Sequence, residues 1–251
     1  MAIQLKRLER VETAVDTVVD SLAATARNLE RSMIARLAEG NVGGRTVDIA
    51  LARADIQQMM LDSGYYQVTG DLLDSTYQQF IDDAHKAYQA QYGKSLQYSQ
   101  VSLDRLQQIR DLDQQTFNSI AEDNINQLQK VMVDYQYGAI DLKGATDRLR
   151  QIMEPDFQRY AETVIRTTAH AFDREANTLM ATDAGFDLFE YVGPDDGVTS
   201  EICQELLAKG PQKWEWWQSQ TNDGGYPVTI YGGHPNCRHS LVPVLSETGN
   251  G

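Results

Sequence analysis

Between residues 4 and 38 apolar side chains return every three or four positions: Leu5, Leu8, Val11, Val15, Val18, Leu22, Leu29, Met33 and Leu37, with Ala26 bridging the one longer gap. A period near 3.6 predicts one amphipathic helix, ended by Gly40-Asn-Val-Gly-Gly44. About 35 residues at 1.5 Å each make a rod of about 50 Å, longer than a compact domain. Its apolar stripe must be covered by a hairpin partner from the same chain or by a coiled-coil-like contact with another copy. The polar face mixes both signs of charge, which argues against a helix lying on a membrane surface.

The following 120 residues continue in the same style. Thr46 to Asp62 predicts a second helix, closed by Ser63-Gly64 and a Tyr65-Tyr66 loop, and Gly70-Asp71 opens a third that runs to Tyr92-Gly93. Tyr77, Phe80, Ala84 and Tyr88 share one face of the third, a core stripe, with His85 beside it at the surface or at a cap. Ser102 to Tyr137 predicts a long helix with Leu106, Ile109, Phe117, Ile120, Leu128 and Val131 inward and glutamines outward, stopped by Gly138. Asp141 to Met153 is a shorter helix. Glu154-Pro155 separates it from a last one, Asp156 to about Asp183, with Pro155 in the first turn where a missing donor does no harm.

A chain of 251 residues exceeds most single cores. The expected division is an elongated helical region over 1–154, a second domain over 155–245 whose residues 155–183 form a linking helix, and a flexible tail, 246–251. The net charge of -14 is uneven, because residues 1–55 hold eight basic and eight acidic side chains and the whole deficit lies beyond them. Such a surface repels phosphate, so nucleic acid is expected to be met only indirectly or at the neutral N-terminal end. The opening Met1-Ala-Ile-Gln-Leu-Lys lacks a secretory pattern, and no apolar run nears the ~20 residues of a membrane span. The expectation is a soluble protein made in a reducing cytoplasm, which disfavours a disulfide framework.

After the linking helix the pattern changes to a small α+β unit. Phe189-Glu-Tyr-Val192 predicts a strand, Gly193-Pro-Asp-Asp-Gly197 a turn, and Val198 to Ala208 a short helix capped by Asp196 or Thr199, with Ile202, Cys203, Leu206 and Leu207 inward. Lys209-Gly210-Pro211 stops that helix. Trp214, Trp216 and Trp217 are expected to cover a thin core. Then comes His234-Pro-Asn-Cys-Arg-His239, which holds two of the four histidines and one of the two cysteines in six residues.

From Cys237 the chain reads as a strand, so Cys237 and His239 point the same way. Pro235 extends His234, and Gly232-Gly233 lets the chain turn so that His234 folds back; Cys203 closes the set from the facing helix. Cys203, His234, Cys237 and His239 make the four donors of a closed tetrahedral zinc site. A unit of roughly 70 residues is short of core and gains from such a staple. The site is expected to be structural, since four protein donors leave no position for water. A disulfide between the cysteines, or buried cysteines with surface histidines, are the readings that compete with it.

His234-Pro-Asn-Cys-Arg238 near the C-terminus, the Tyr191-Val-Gly-Pro-Asp-Asp196 turn, Thr199, Cys203 and Arg166-Thr167 together resemble the phage head morphogenesis (Mu F-like minor head protein) family. The likeness covers residues 160–245. The family motif commonly ends in Cys where this chain has His239, which changes the ligand set without abolishing it. The resemblance implies a minor head protein, in the virion at the portal vertex or inside the head, contacting portal or capsid proteins and assisting head assembly or DNA packaging and ejection. It also puts Arg166 in one domain with Asp195 and Asp196, which suggests a clamp on the acidic turn beside the metal; His170, one turn on, is a further candidate. The competing class is an enzyme, a metal-dependent nuclease of the His-Asn-His kind, built on His234, Asn236 and His239 with Asp195 or Asp196.

Overall fold

A computed structural model of the chain describes residues 2–40, 49–93, 95–153 and 158–245. The expected helix stop at residues 41–44, the break at Glu154-Pro155 and the tail lie outside them. The protein is mainly helical, with one small antiparallel sheet near the C-terminus. In chain order come α1 (Ala2–Gly40), α2 (Ile49–Ser63), α3 (Tyr65–Asp71), a π-helical segment (Leu72–Thr76), α4 (Tyr77–Tyr92), α5 (Gln100–Gln136), α6 (Leu142–Gln151) and α7 (Gln158–Asp183). The sheet region follows: β1 (Leu188–Val192), α8 (Glu201–Leu207), β2 (Gln212–Lys213), α9 (Trp214–Gln218), α10 (Val228–Tyr231) and β3 (Ser240–Pro243). No helix among the described residues is long and apolar enough to cross a membrane.

The long N-terminal helix follows its periodicity from Leu8 onward, with Val11, Val15, Leu22, Leu29, Met33 and Leu37 buried, whereas Leu5 is exposed and Gln4 and Arg7 are the buried side chains of that first stretch. The Tyr65-Tyr66 loop is corrected to helix. Gly64, at φ 92, makes the turn alone, and Tyr65 enters α3 because its ring is buried and its hydroxyl donates to the Phe117 carbonyl at 2.8 Å. Gly70 therefore sits inside α3 rather than starting a helix.

Two compact units are built from non-contiguous segments, Met1–Asp16 with Leu72–Leu112 and Ile165–Gly251, and Thr17–Asp71 with Asp113–Val164. The expected division, at 154/155 and 245/246, is into contiguous segments. The long helices α1, α5 and α7 each contribute to both units, which no single cut can express. In the second unit Ala52, Ile56, Met60, Phe117, Ile125 and Leu128 are buried, with Arg36 holding Asp55 at 2.6 Å and Arg53 paired with Glu122 at its surface.

The first unit carries the sheet. Its order is β2-β1-β3, antiparallel throughout, with Tyr191 opposite Leu241 and Val192 opposite Ser240. Alternation along β1 sends Phe189 and Tyr191 into a cluster with Tyr88, Met180, Cys203, Leu206, Trp217 and Cys237, while Val192 packs with Leu8 and Val242 on the other face. The α4 stripe is core, Tyr77 stacking on Phe172 of α7 at 3.9 Å. Trp217 is fully buried and donates to the Phe189 carbonyl at 2.9 Å, with Trp214 and Trp216 packed partly buried against the same cluster.

Candidate metal centre

The knuckle is a turn whose residue types follow from its backbone. Pro235 precedes Asn236, which takes φ 62, a left-handed conformation that asparagine tolerates better than other non-glycine residues. The Cys237 amide then donates back to the His234 carbonyl at 3.2 Å. Thr167 on α7 anchors the turn, its hydroxyl donating to Asn236 Oδ1 at 3.2 Å. The strand expected from Cys237 starts later, at Ser240; residues 237–239 carry no regular secondary structure, and Cys237 Sγ and His239 Nδ1 stand 3.5 Å apart.

Cys203 arrives from α8. That helix starts later than its sequence suggests because Asp196 and Thr199 are engaged in the preceding turn: Thr199 donates to the Pro194 carbonyl at 2.9 Å, and Asp196 accepts from the Val198 amide at 3.2 Å. Ser200 is the cap, accepting from the Cys203 amide at 3.4 Å. Glycines clear the space around the donors. A Cβ on Gly193 would stand 2.4 Å from the His239 ring, one on Gly232 2.6 Å from Cys237 Sγ, and one on Gly233 2.6 Å from Cys203 Sγ.

Cys203, Cys237 and His239 are all buried, with one donor atom from each within 4.8 Å of the others, and can hold a metal ion. Both cysteines are free thiols, their sulfurs 3.6 Å apart. Around a tetrahedral ion with metal–sulfur bonds of about 2.3 Å and metal–nitrogen bonds of about 2.0 Å, sulfurs stand about 3.7 Å apart and sulfur and nitrogen about 3.5 Å. The observed 3.6 and 3.5 Å fit those edges. A disulfide needs about 2.05 Å. Hydrogen bonding with Cys203, helped by His239 and Arg174, holds the Cys237 thiol well below the ordinary cysteine range. The same contact and burial push Cys203 up. The thiolate is the form in which cysteine binds metals.

His234 is not among the converging donors; it is only half-buried and its Nδ1 lies against the Pro235 carbonyl of the same turn. The Arg166 brace is corrected. Arg166 reaches Glu12 at 3.3 Å and Asp16 at 2.7 Å on α1, and the residue gripping the acidic turn is Arg238, bidentate to Asp196 at 2.9 Å on both oxygens. Arg238 stands two positions from β3, next to the turn, while Arg166 faces α1, so proximity decides. Arg238 holds the exposed Asp196 carboxyl below its ordinary range; Asp195 is exposed. His170 Nε2 lies 3.0 Å from Glu12, and that hydrogen bond draws the Glu12 carboxyl down.

Two residues outside the expected donor set shape the centre. Arg174, 2% exposed, donates to the carbonyls of Ile230 at 2.6 Å, Cys237 at 2.7 Å and His239 at 3.0 Å. Tyr191 places its hydroxyl 3.1 Å from Cys237 Sγ and 3.7 Å from Cys203 Sγ. An arginine amid the apolar positions of α7 was the one available signal. Comparison of the chain with protein-family models, curated proteins and solved structures finds no match.

Proposed function

We propose that Cys203, Cys237 and His239 hold a structural zinc ion, and that the protein is a minor head protein of the Mu F-like head morphogenesis kind. The observation that carries the structural role is burial: Cys203 is 0%, Cys237 1% and His239 2% exposed, so a bound ion has no path to substrate, whereas catalytic zinc keeps a position for water or substrate. Two thiolates and an imidazole are a donor set that suits zinc. Its contribution is to tie α8, the knuckle and β3 into one small core, with metal binding coupled to folding.

The viral reading is supported by the resemblance of residues 160–245. On this reading the protein resides in the virion, inside the head or at the portal vertex, after synthesis in the host cytoplasm. Its partners are portal or capsid proteins, with self-association through the long helices, and DNA is met indirectly. The nuclease reading loses part of its set, since His239 is a donor of the buried group, Asn236 is held by Thr167 and Asp196 by Arg238, which leaves it His234 and the exposed Asp195. Mass spectrometry of purified particles from a host producing this protein tests the assignment. Low-copy presence in heads is the expected result; absence from particles, or metal-dependent cleavage of plasmid DNA by the purified protein, overturns it.

A further inference from the structure

Three donors do not complete a tetrahedral ion, and His234 does not converge with them. Tyr191 Oη also meets both sulfurs, 3.1 Å from Cys237 Sγ and 3.7 Å from Cys203 Sγ. Oxygen and sulfur bound to one tetrahedral zinc ion stand about 3.5 Å apart, between these two values. The oxygen is held in place from several directions. The Gly233 amide donates to it at 3.1 Å, the ring lies nearly parallel to that of His239 at 5.2 Å, and Trp217 stacks on it at 5.8 Å.

Charge supplies a second, independent argument. Arg174 is buried, its hydrogen-bond acceptors are three neutral carbonyls, and among the described residues it forms no ion pair with a carboxylate. A buried guanidinium needs a counter-charge close by. A divalent ion with two thiolates and a neutral imidazole is neutral overall, which leaves the arginine uncompensated. A phenolate as fourth donor gives the centre one negative charge and balances it.

We propose that Tyr191 Oη is the fourth donor of the metal centre, bound as phenolate, its proton passing to solvent as the metal–oxygen bond forms. This assignment rests on the metal reading above. It is tested by titrating the full chain with zinc while recording the ultraviolet difference spectrum and the protons released. The wild type is expected to show the tyrosinate band and to release one more proton per ion than Tyr191→Phe. That variant keeps both ring stacks and binds zinc more than about tenfold more weakly, whereas His234→Ala keeps wild-type affinity. Zinc bound by the wild type without a tyrosinate band overturns the assignment and leaves a three-residue centre standing, and this readout does not depend on any variant folding. Loss of affinity in His234→Ala, with Tyr191→Phe unchanged, also overturns it. A full chain that binds no zinc removes the metal reading itself.

Discussion

Arg174 Nη1 donates to the Cys237 carbonyl at 2.7 Å, so the α7 guanidinium grips the backbone of a candidate metal donor. The same nitrogen reaches the His239 carbonyl and Nε reaches that of Ile230. Charged hydrogen bonds of this kind contribute about 1.5–3 kcal/mol each, with incomplete additivity. Arg174→Met strands three carbonyls and is expected to lose roughly 3–5 kcal/mol of stability. Arg174→Lys keeps the charge but not the fork and should recover only part. Urea denaturation followed by the fluorescence of buried Trp217 measures both; equal stability in all three proteins contradicts the bracing role.

Cys237 sits where every element of the centre meets, 3.6 Å from Cys203, 3.5 Å from His239 Nδ1 and 3.1 Å from Tyr191 Oη. Cys237→Ala is expected to release the metal and melt the packing of the sheet region. Much of the helical signal should survive, because the second compact unit contains none of these residues. Near- and far-ultraviolet circular dichroism with metal analysis separates the two effects. Metal content unchanged by the substitution contradicts the centre.

The helices could be read because their information is local: the 3.6-residue stripe of α1 and the aromatic stripe of α4 depend on spacing alone. The nearness of Cys237 and His239 is local too, because the two lie two residues apart, although the strand expected to align them begins only at Ser240. What failed was non-local. Whether Tyr191 faces the sulfurs depends on how β1 pairs with β3, and that register is absent from any short window. Arg166 and Arg238 are equivalent as sequence and differ only in which acidic neighbour the fold brings near. Compact units assembled from non-contiguous segments of helices α1, α5 and α7 are likewise invisible to a reading that cuts between helices.

Gly193 follows β1 and lies against the ring of His239, where an added Cβ would come within 2.4 Å of Cδ2 and 3.0 Å of the backbone Cα. Neither atom can give way freely, because the ring is stacked on Tyr191 and the backbone leads into β3. Gly193→Ala is expected to cost roughly 1–3 kcal/mol by overpacking and to weaken metal binding by displacing a donor. Gly197→Ala, at a position with nothing within 4 Å, is the matched control and should leave affinity unchanged. Zinc affinity measured by chelator competition distinguishes them, and equal affinities for both variants contradict the close-packing argument.

Arg7 on α1 pairs with Asp173 on α7, both side chains almost wholly shielded from water at 0% and 2% exposure. Gln4 Oε1 takes a further hydrogen bond from Arg7 Nε at 3.1 Å. Asp173 precedes Arg174, so adjacent α7 residues tie down the start of the chain and the knuckle in the same compact unit. Removing one member of a buried pair leaves the other charge without compensation, at a cost of about 3–5 kcal/mol, whereas replacing both with apolar groups is often near neutral. Asp173→Leu alone should therefore be strongly destabilising, and Arg7→Met combined with it should recover most of the loss. A denaturation double-mutant cycle measures the coupling. Additive losses would mean that the two side chains stabilise this unit independently rather than as a pair.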